Sequence, residues 1–185
     1  MGSNTTLLID GDSLIYASAC QETAVDAIES LNSRVNMILE ETGANKFQFL
    51  ISEGKTFRHD IAFSKPYKGN RKKATLLQWL KLVKEYAKQE YKAWSVEGVE
   101  ADDMVVYLKY KIKNSIICAI DKDVLKQCPG EHFNYRIPTG HTKPVGFVKT
   151  ENEEAINFLY QQIMTGDSTD NIPGIEGVGE KGALR

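Results

Sequence analysis

The sequence predicts an α/β domain built on a mostly parallel sheet. Short apolar runs that stop at acidic turns alternate with stretches of helical spacing. The length agrees: 185 residues, 42 % of them hydrophobic and 26 % charged, allow one domain with a real core and exclude wholesale disorder.

In chain order, Thr5-Thr6-Leu7-Leu8-Ile9 reads as a buried strand ending at Asp10-Gly11-Asp12. Val25, Ile28, Leu31, Val35, Ile38 and Leu39 have helical spacing, and Gly43 is placed to close that helix. Phe47–Ile51 is a second strand, stopping at Ser52-Glu53-Gly54. A helix is expected from about Ala74 to Tyr91, with Leu76, Leu77, Leu80, Val83 and Ala87 on one face and Lys81, Lys84, Lys88 and Lys92 on another. Ala93–Val96 reads as a strand and Ala101–Ile112 as a helix whose acidic first turn suits its positive end. Ile116–Ile120 is a strand stopping at Asp121-Lys122-Asp123. Phe133–Ile137 and Val145–Val148 read as a hairpin around Thr139-Gly140-His141, and Thr150 with Glu153 as a capping box for a helix to about Met164.

The net charge of −2 is unevenly spread: residues 1–45 carry −6, 46–92 carry +8 and 93–185 carry −4. A basic block inside an acidic chain suggests a surface for a polyanion. No apolar run reaches the roughly 20 residues of a membrane helix, and the N-terminus has no signal-peptide pattern. Cys20, Cys118 and Cys128 contain no CxxC pair, so neither a disulfide framework nor a zinc knuckle is expected. The expected location is cytoplasmic.

The acids fall where ligands bind in such sheets, beyond the carboxyl ends of the strands. Asp10 and Asp12 follow the first strand and Glu53 the second. Glu100, Asp102 and Asp103 follow the stretch near Trp94, and Asp121 and Asp123 the Ile116 strand. Asp167 and Asp170 follow the last long helix. A single Asp after a strand is more often a turn former or helix cap than a ligand. Asp12, which can cap a helix at Ser13, and Asp103 are the blandest of the set. Five such groups in one chain are a pattern. Like charges gathered on one rim take up protons unless cations bind. Oxygen donors suit Mg²⁺ or Mn²⁺, and two such ions can hold the attacking and leaving oxygens of a phosphodiester. Acids for metal beside bases for phosphate suggest a nuclease. His59, His132 and His141 share no metal-ligand spacing.

Two other readings compete. Gly177-Val178-Gly179-Glu180-Lys181-Gly182 matches GxGxxG but follows Asn171-Ile172-Pro173-Gly174 rather than a strand, so it is not a dinucleotide fingerprint. Asp10-Gly11-Asp12-Ser13 with Gly166-Asp167 and Asp170 loosely resembles haloacid-dehalogenase-type phosphatases, with Asp10 as nucleophile. That reading leaves the acids at 100–103 and 121–123 unused. A third possibility is a DNA-binding relative without turnover.

The whole set of motifs resembles the flap endonuclease family of 5′ nucleases, especially its bacteriophage members and the 5′-nuclease domain of bacterial DNA polymerase I. The matching pieces are Ile9-Asp10-Gly11-Asp12, Ser52-Glu53-Gly54, Tyr67-Lys68-Gly69-Asn70-Arg71, Val99-Glu100-Ala101-Asp102-Asp103, Ile120-Asp121-Lys122-Asp123 and Gly166-Asp167-Ser168-Thr169-Asp170-Asn171-Ile172-Pro173-Gly174. Gly174-Ile175-Glu176-Gly177-Val178-Gly179 is similar to the family's helix-hairpin-helix turn.

The resemblance implies a PIN-like fold with a twisted sheet: a catalytic domain over residues 1–165, including a short basic arch at 65–95, and the start of a helix-hairpin-helix at 166–185. It implies a structure-specific 5′-3′ exonuclease or flap endonuclease, monomeric, acting on DNA 5′ ends, flaps and branches, with RNase H-like action on RNA–DNA hybrids as a further expectation. By position, Asp10, Glu53, Glu100 and Asp102 match one Mg²⁺ or Mn²⁺ site. Asp121, Asp123 and Asp167 match the second, with Asp170 nearby and Asp103 also matching a family acid. Tyr67, Lys68 and Arg71 match the base of the arch, where the two cations meet the scissile phosphate. Lys65, Lys72, Lys73, Lys81, Lys84 and Lys88 are expected to bind DNA more loosely. Gly177, Val178 and Gly179 match the turn that grips duplex phosphates with K⁺. The hairpin's second helix starts near Glu180 and has about six residues before Arg185, so residues from Gly174 onward are expected to be loosely held.

Overall fold

In a computed structural model, the chain is described over residues 5–70, 77–136 and 146–183. The elements, in order, are β1 (Thr6–Asp10), α1 (Asp12–Ala19), α2 (Ala24–Thr42), β2 (Lys46–Leu50), α3 (Arg58–Ile61), α4 (Leu80–Glu90), α5 (Ala101–Lys111), β3 (Ser115–Ala119), α6 (Lys122–Gln127), β4 (Gly130–Asn134), β5 (Gly146–Thr150), α7 (Asn152–Thr165), β6 (Gly166–Asp167), β7 (Ile172–Pro173) and α8 (Glu180–Ala183).

The main sheet has the order β2-β1-β3-β4-β5. The first three pairings are parallel and β4–β5 is antiparallel. The register sets Asp10 opposite Leu50 and Ile9 opposite Cys118, so β1 ends on a rim shared with β2 and β3. Leu7, Leu8 and Ile9 are fully buried because helices cover both faces. Leu7, Ile9 and Phe49 pack with α1, α2 and α4, while Leu8, Leu50 and Ile117 pack with α5 and α6. Cys118 is a buried core residue, as its strand position implies.

Residue chemistry explains most boundaries. In α2 the Thr23 hydroxyl accepts from the Asp26 N–H at 3.1 Å, and Gly43 closes the helix at φ +61. Its buried stripe is Ala27, Leu31, Val35 and Ile38, whereas Val25 lies outside it, exposed.

Three expectations are corrected. First, α4 begins at Leu80, several residues later than about Ala74. Second, Ala93–Val96 is no strand: Trp94 makes a single parallel bridge to Leu50 before the chain turns at Val96–Val99. Third, the capping box of α7 is Glu151 with Glu154, because the Thr150 hydroxyl donates to the Leu125 carbonyl at 2.7 Å. The hairpin forms as β4–β5, with the turn around Thr139-Gly140-His141 outside the described residues. The short β6–β7 pair was not anticipated. The helix expected near Glu180 is present as α8, and Ile175 N–H donates to the Met164 carbonyl at 2.7 Å. Among the described residues, no helix is long and apolar enough to cross a membrane.

Candidate active site

The site is built on the turns that leave β1, β2 and β3. Asp10 is the last residue of β1 and is 6 % exposed. Its Oδ1 accepts from the Asp12 N–H, and its carbonyl accepts from the Tyr135 hydroxyl at 2.8 Å. Asp12 does not cap a helix at Ser13: it begins α1, and its Oδ1 accepts from the Ser52 N–H at 3.0 Å. Ser52 is the hub of this corner. Its hydroxyl accepts from the Ala101 N–H and its carbonyl accepts from Lys84 Nζ, both at 2.8 Å. Ser52, two residues beyond β2, thus ties together α1, α4 and the start of α5.

Glu100 is 7 % exposed, N-terminal to α5. It accepts from Thr56 Oγ1 at 3.1 Å, from the Tyr67 hydroxyl at 3.0 Å, and from Lys68 Nζ on both oxygens. The Tyr67–Asn70 turn docks on the segment after α7. Lys68 N–H donates to the Asp170 carbonyl at 2.9 Å, Asn70 Nδ2 to the Ser168 carbonyl at 2.5 Å, and the Tyr67 hydroxyl reaches Asp170 Oδ2 at 3.0 Å. Asp121 caps α6 by accepting from the Asp123 N–H. Asp123 accepts from Gln162 Nε2, and Asp167 from the Thr169 N–H.

These side chains line two adjoining pockets. Asp10, Asp12, Glu100, Asp102 and Asp121 surround the first with Lys68 and Lys84. Asp102, Asp121, Asp123, Asp167 and Asp170 surround the second with Lys68 and Lys122. Asp102, Asp121 and Lys68 belong to both. The acids thus form a divided rim rather than a single convergence.

The electrostatics follow. Burial raises the Asp10 carboxyl well above the ordinary range, and Asp12 and Asp102 add to this. Burial, opposed by Arg58 and reinforced by Asp103 and Glu100, pushes Asp102 up to about 6. Burial and Asp121 push Asp123 up to about 6. Burial also acts on Glu100, but Lys68, Tyr67 and Arg58 outweigh it and hold that carboxyl low. Asp167 is held low against burial by the Thr169 N–H and Asp123.

An oxygen-only donor set, with several carboxyls pushed up by burial and by one another, fits a hard divalent cation. Among the described residues, no three carboxylates, histidines or cysteines close on a single point tightly enough to hold an ion as they stand. Lys68 pairs with Glu100, and Arg58 with Asp103.

Several expected site residues stand elsewhere. Glu53 turns out of the rim to Lys88 and Ser95, with its side chain 45 % exposed. Asp103 is held by both guanidinium nitrogens of Arg58 at 2.5 and 2.6 Å. Lys88 is paired with Glu53 and Glu85, and Lys84 points into the first pocket, so neither is the outlying cation expected; Lys65 and Lys81 are exposed. Arg71, Lys72 and Lys73 lie outside the described residues. Gly177 has φ +80, the left-handed conformation a tight turn needs, and Val178 and Gly179 share a pocket with Asp167 and Thr169. Sequence reasoning missed Arg58 and Ser52 and undervalued Asp12. The only signal for Arg58 was a cation near the Tyr67 motif.

The model of the 5′-3′ exonuclease N-terminal, resolvase-like domain matches residues 5–153. The chain belongs to the 5′-3′ exonuclease family. It is a nuclease of that class, a phosphodiester hydrolase, and the haloacid-dehalogenase-type reading of Asp10 falls with this assignment. The 5′-3′ exonuclease of Buchnera aphidicola from Acyrthosiphon pisum is 29 % identical over 98 % of this chain and 69 % of its own length. DNA polymerase I of Bacillus caldotenax is 28 % identical over 97 % of this chain and 23 % of its own. The flap endonuclease of bacteriophage T5, solved as a pseudo-enzyme-product complex with DNA and metal ions, superposes with a TM-score of 0.75 at 20 % identity, over 97 % of this chain and 73 % of that one. That likeness supports the PIN-like, mostly parallel fold of the 5′-nuclease family.

Proposed function

We propose that this chain cleaves DNA phosphodiesters at 5′ ends and flaps with two divalent ions, Mg²⁺ or Mn²⁺, held on the divided rim. The supporting observation is the pair of adjoining carboxylate pockets that share Asp102, Asp121 and Lys68. Asp10, Glu100 and Asp102 would hold one ion. Asp121, Asp123 and Asp167 would hold the other, with Asp170 beside them. Bound there, such ions activate a water and stabilise the leaving oxygen of an in-line displacement.

The chain's own residues do the rest. Lys68 sits where the pockets meet, so its ammonium can shift from Glu100 to the charge developing on the scissile phosphate. Tyr67 fixes Glu100 and Asp170 through its hydroxyl. By their charge, Arg71, Lys72 and Lys73 are proposed phosphate contacts together with Lys65 and Lys81. The Gly177–Gly179 turn is the candidate duplex contact, with K⁺ as its proposed ion, and action on RNA–DNA hybrids by a monomer completes the reading.

The test is cleavage of a 5′-flap substrate in Mg²⁺ against EDTA. Metal-dependent cleavage abolished by Asp121→Asn with Asp123→Asn supports the assignment. DNA binding without turnover in either metal would favour a binding-only relative.

A further inference from the structure

Arg58 opens the four-residue helix α3 and meets three acids of one neighbouring segment. Its guanidinium forks onto both oxygens of Asp103, lies 3.4 Å from Glu100 Oε2 and 3.7 Å from Asp102 Oδ1. The same guanidinium stands 6.0 Å from the centre of the Tyr67 ring, and the next residue, His59, meets that ring edge-on at 5.2 Å. Tyr67 is thus seated on α3 while its hydroxyl reaches Glu100 and Asp170.

The residue after Tyr67 has an unusual backbone. Lys68 has φ +54, a left-handed conformation that disfavours any side chain with a Cβ. Such conformations persist where the surroundings over-determine them. Here the surroundings are the Asp170 carbonyl that accepts the Lys68 N–H, and the Tyr67 ring wedged against Arg58 and His59. The strain serves to aim Lys68 Nζ at Glu100, at the junction of the two pockets.

We propose that Arg58 is a positioning residue: its fork on Asp103 and its contact with Tyr67 clamp α3 to the start of α5, and this clamp holds Lys68 over the rim. The proposal deepens the nuclease reading and its catalytic consequence rests on it. Arg58 acts through Lys68 rather than on the phosphate. A lysine at this position keeps the charge but cannot fork onto a carboxylate with two parallel bonds.

The decisive experiment uses Arg58→Lys alone and combined with Lys68→Ala. Arg58→Lys should lower the single-turnover cleavage rate at saturating flap DNA by about tenfold or more, the range of a lost supporting contact, while the DNA dissociation constant stays within about twofold. On top of Lys68→Ala it should add nothing, because its route is already gone. A second readout needs no activity: limiting acetic anhydride should acetylate Lys68 faster in Arg58→Lys, and likewise in Asp103→Asn, which breaks the fork from its other end. An undiminished loss in the Lys68→Ala background, weaker DNA binding at an unchanged rate, or unchanged Lys68 acetylation in both variants would each overturn the proposal. Should the wild type show no metal-dependent cleavage, the nuclease reading fails, and the acetylation arm still decides whether the clamp exists.

Discussion

Lys68 Nζ donates to both carboxylate oxygens of Glu100, at 3.1 and 3.0 Å. The ammonium sits among acids from four turns and, with Tyr67 and Arg58, holds the Glu100 carboxyl below its usual range against the effect of burial. If Glu100 holds a divalent ion as proposed, that ion would compete with the ammonium for the same oxygens. Binding of the ion should therefore release Lys68 toward the substrate side of the rim.

From this relationship, Lys68→Ala should lower the single-turnover rate about a hundredfold or more at saturating DNA, with a much smaller change in affinity. A cation aimed at charge that appears only in the transition state acts mostly on the chemical step. Rapid-quench measurement against an independent binding titration separates the two. Equal rates for mutant and wild type would remove Lys68 from the chemistry.

Metal binding should depend steeply on pH. Asp102 and Asp123 are both pushed up to about 6 in the metal-free protein. These carboxyls are protonated below that pH and ionised above it, and only the ionised form binds a cation. Apparent Mn²⁺ affinity should rise through pH 6 and level off above about 7. Calorimetry in buffers of different ionisation enthalpy should show protons released on binding near pH 6 and almost none at pH 8. Equal proton release at both would mean that neither carboxyl titrates there.

The rim was legible in the sequence because an apolar run ending on an acid reports both a parallel strand and the edge at which it stops. That holds for Ile9-Asp10 and Ile120-Asp121. What was not legible depends on side-chain direction across the fold. Glu53 follows its strand as expected, but Lys88, arriving from α4, turns it away from the rim. Asp12 read as a local cap, yet its partner is Ser52, forty residues on. Arg58 looked like one base among many, and only packing of α3 against α5 reveals its three acids. The α7 cap slipped by one residue for the same reason: Leu125 claims the Thr150 hydroxyl.

Gly11 predicts a stability effect at the site. It follows Asp10, and a Cβ there would lie 2.0 Å from the Phe49 ring, which is fully buried in the core. The ring cannot move without displacing close-packed neighbours. Gly11→Ala should destabilise the protein by about 1–3 kcal/mol or more, and should shift the Asp10–Asp12 turn that Gly11 pins by donating to the Leu50 carbonyl at 2.8 Å. Thermal melts with and without Mn²⁺ test both points. A variant as stable as wild type, with unchanged metal affinity, would show that Phe49 has room the structure denies it.

The lysines of α4 should divide by partner, although they share one helix face in the sequence. Lys81 is exposed, whereas Lys88 is spent on Glu53 and Glu85, and Lys84 is fastened to the Ser52 carbonyl inside the first pocket. Only a cation that meets phosphate releases counterions, so Lys81→Ala should reduce the salt slope of DNA binding by about one while leaving the saturated rate alone. Lys88→Ala should leave that slope nearly unchanged, because its charge is already met by carboxylates. Lys84→Ala should instead lower the cleavage rate, since it loosens the Ser52 hub that orients Asp12 and the start of α5. Binding titrations from about 50 to 200 mM salt, paired with single-turnover rates, resolve the three. Equal salt slopes lost from all three variants would show that α4 acts as one undifferentiated basic surface.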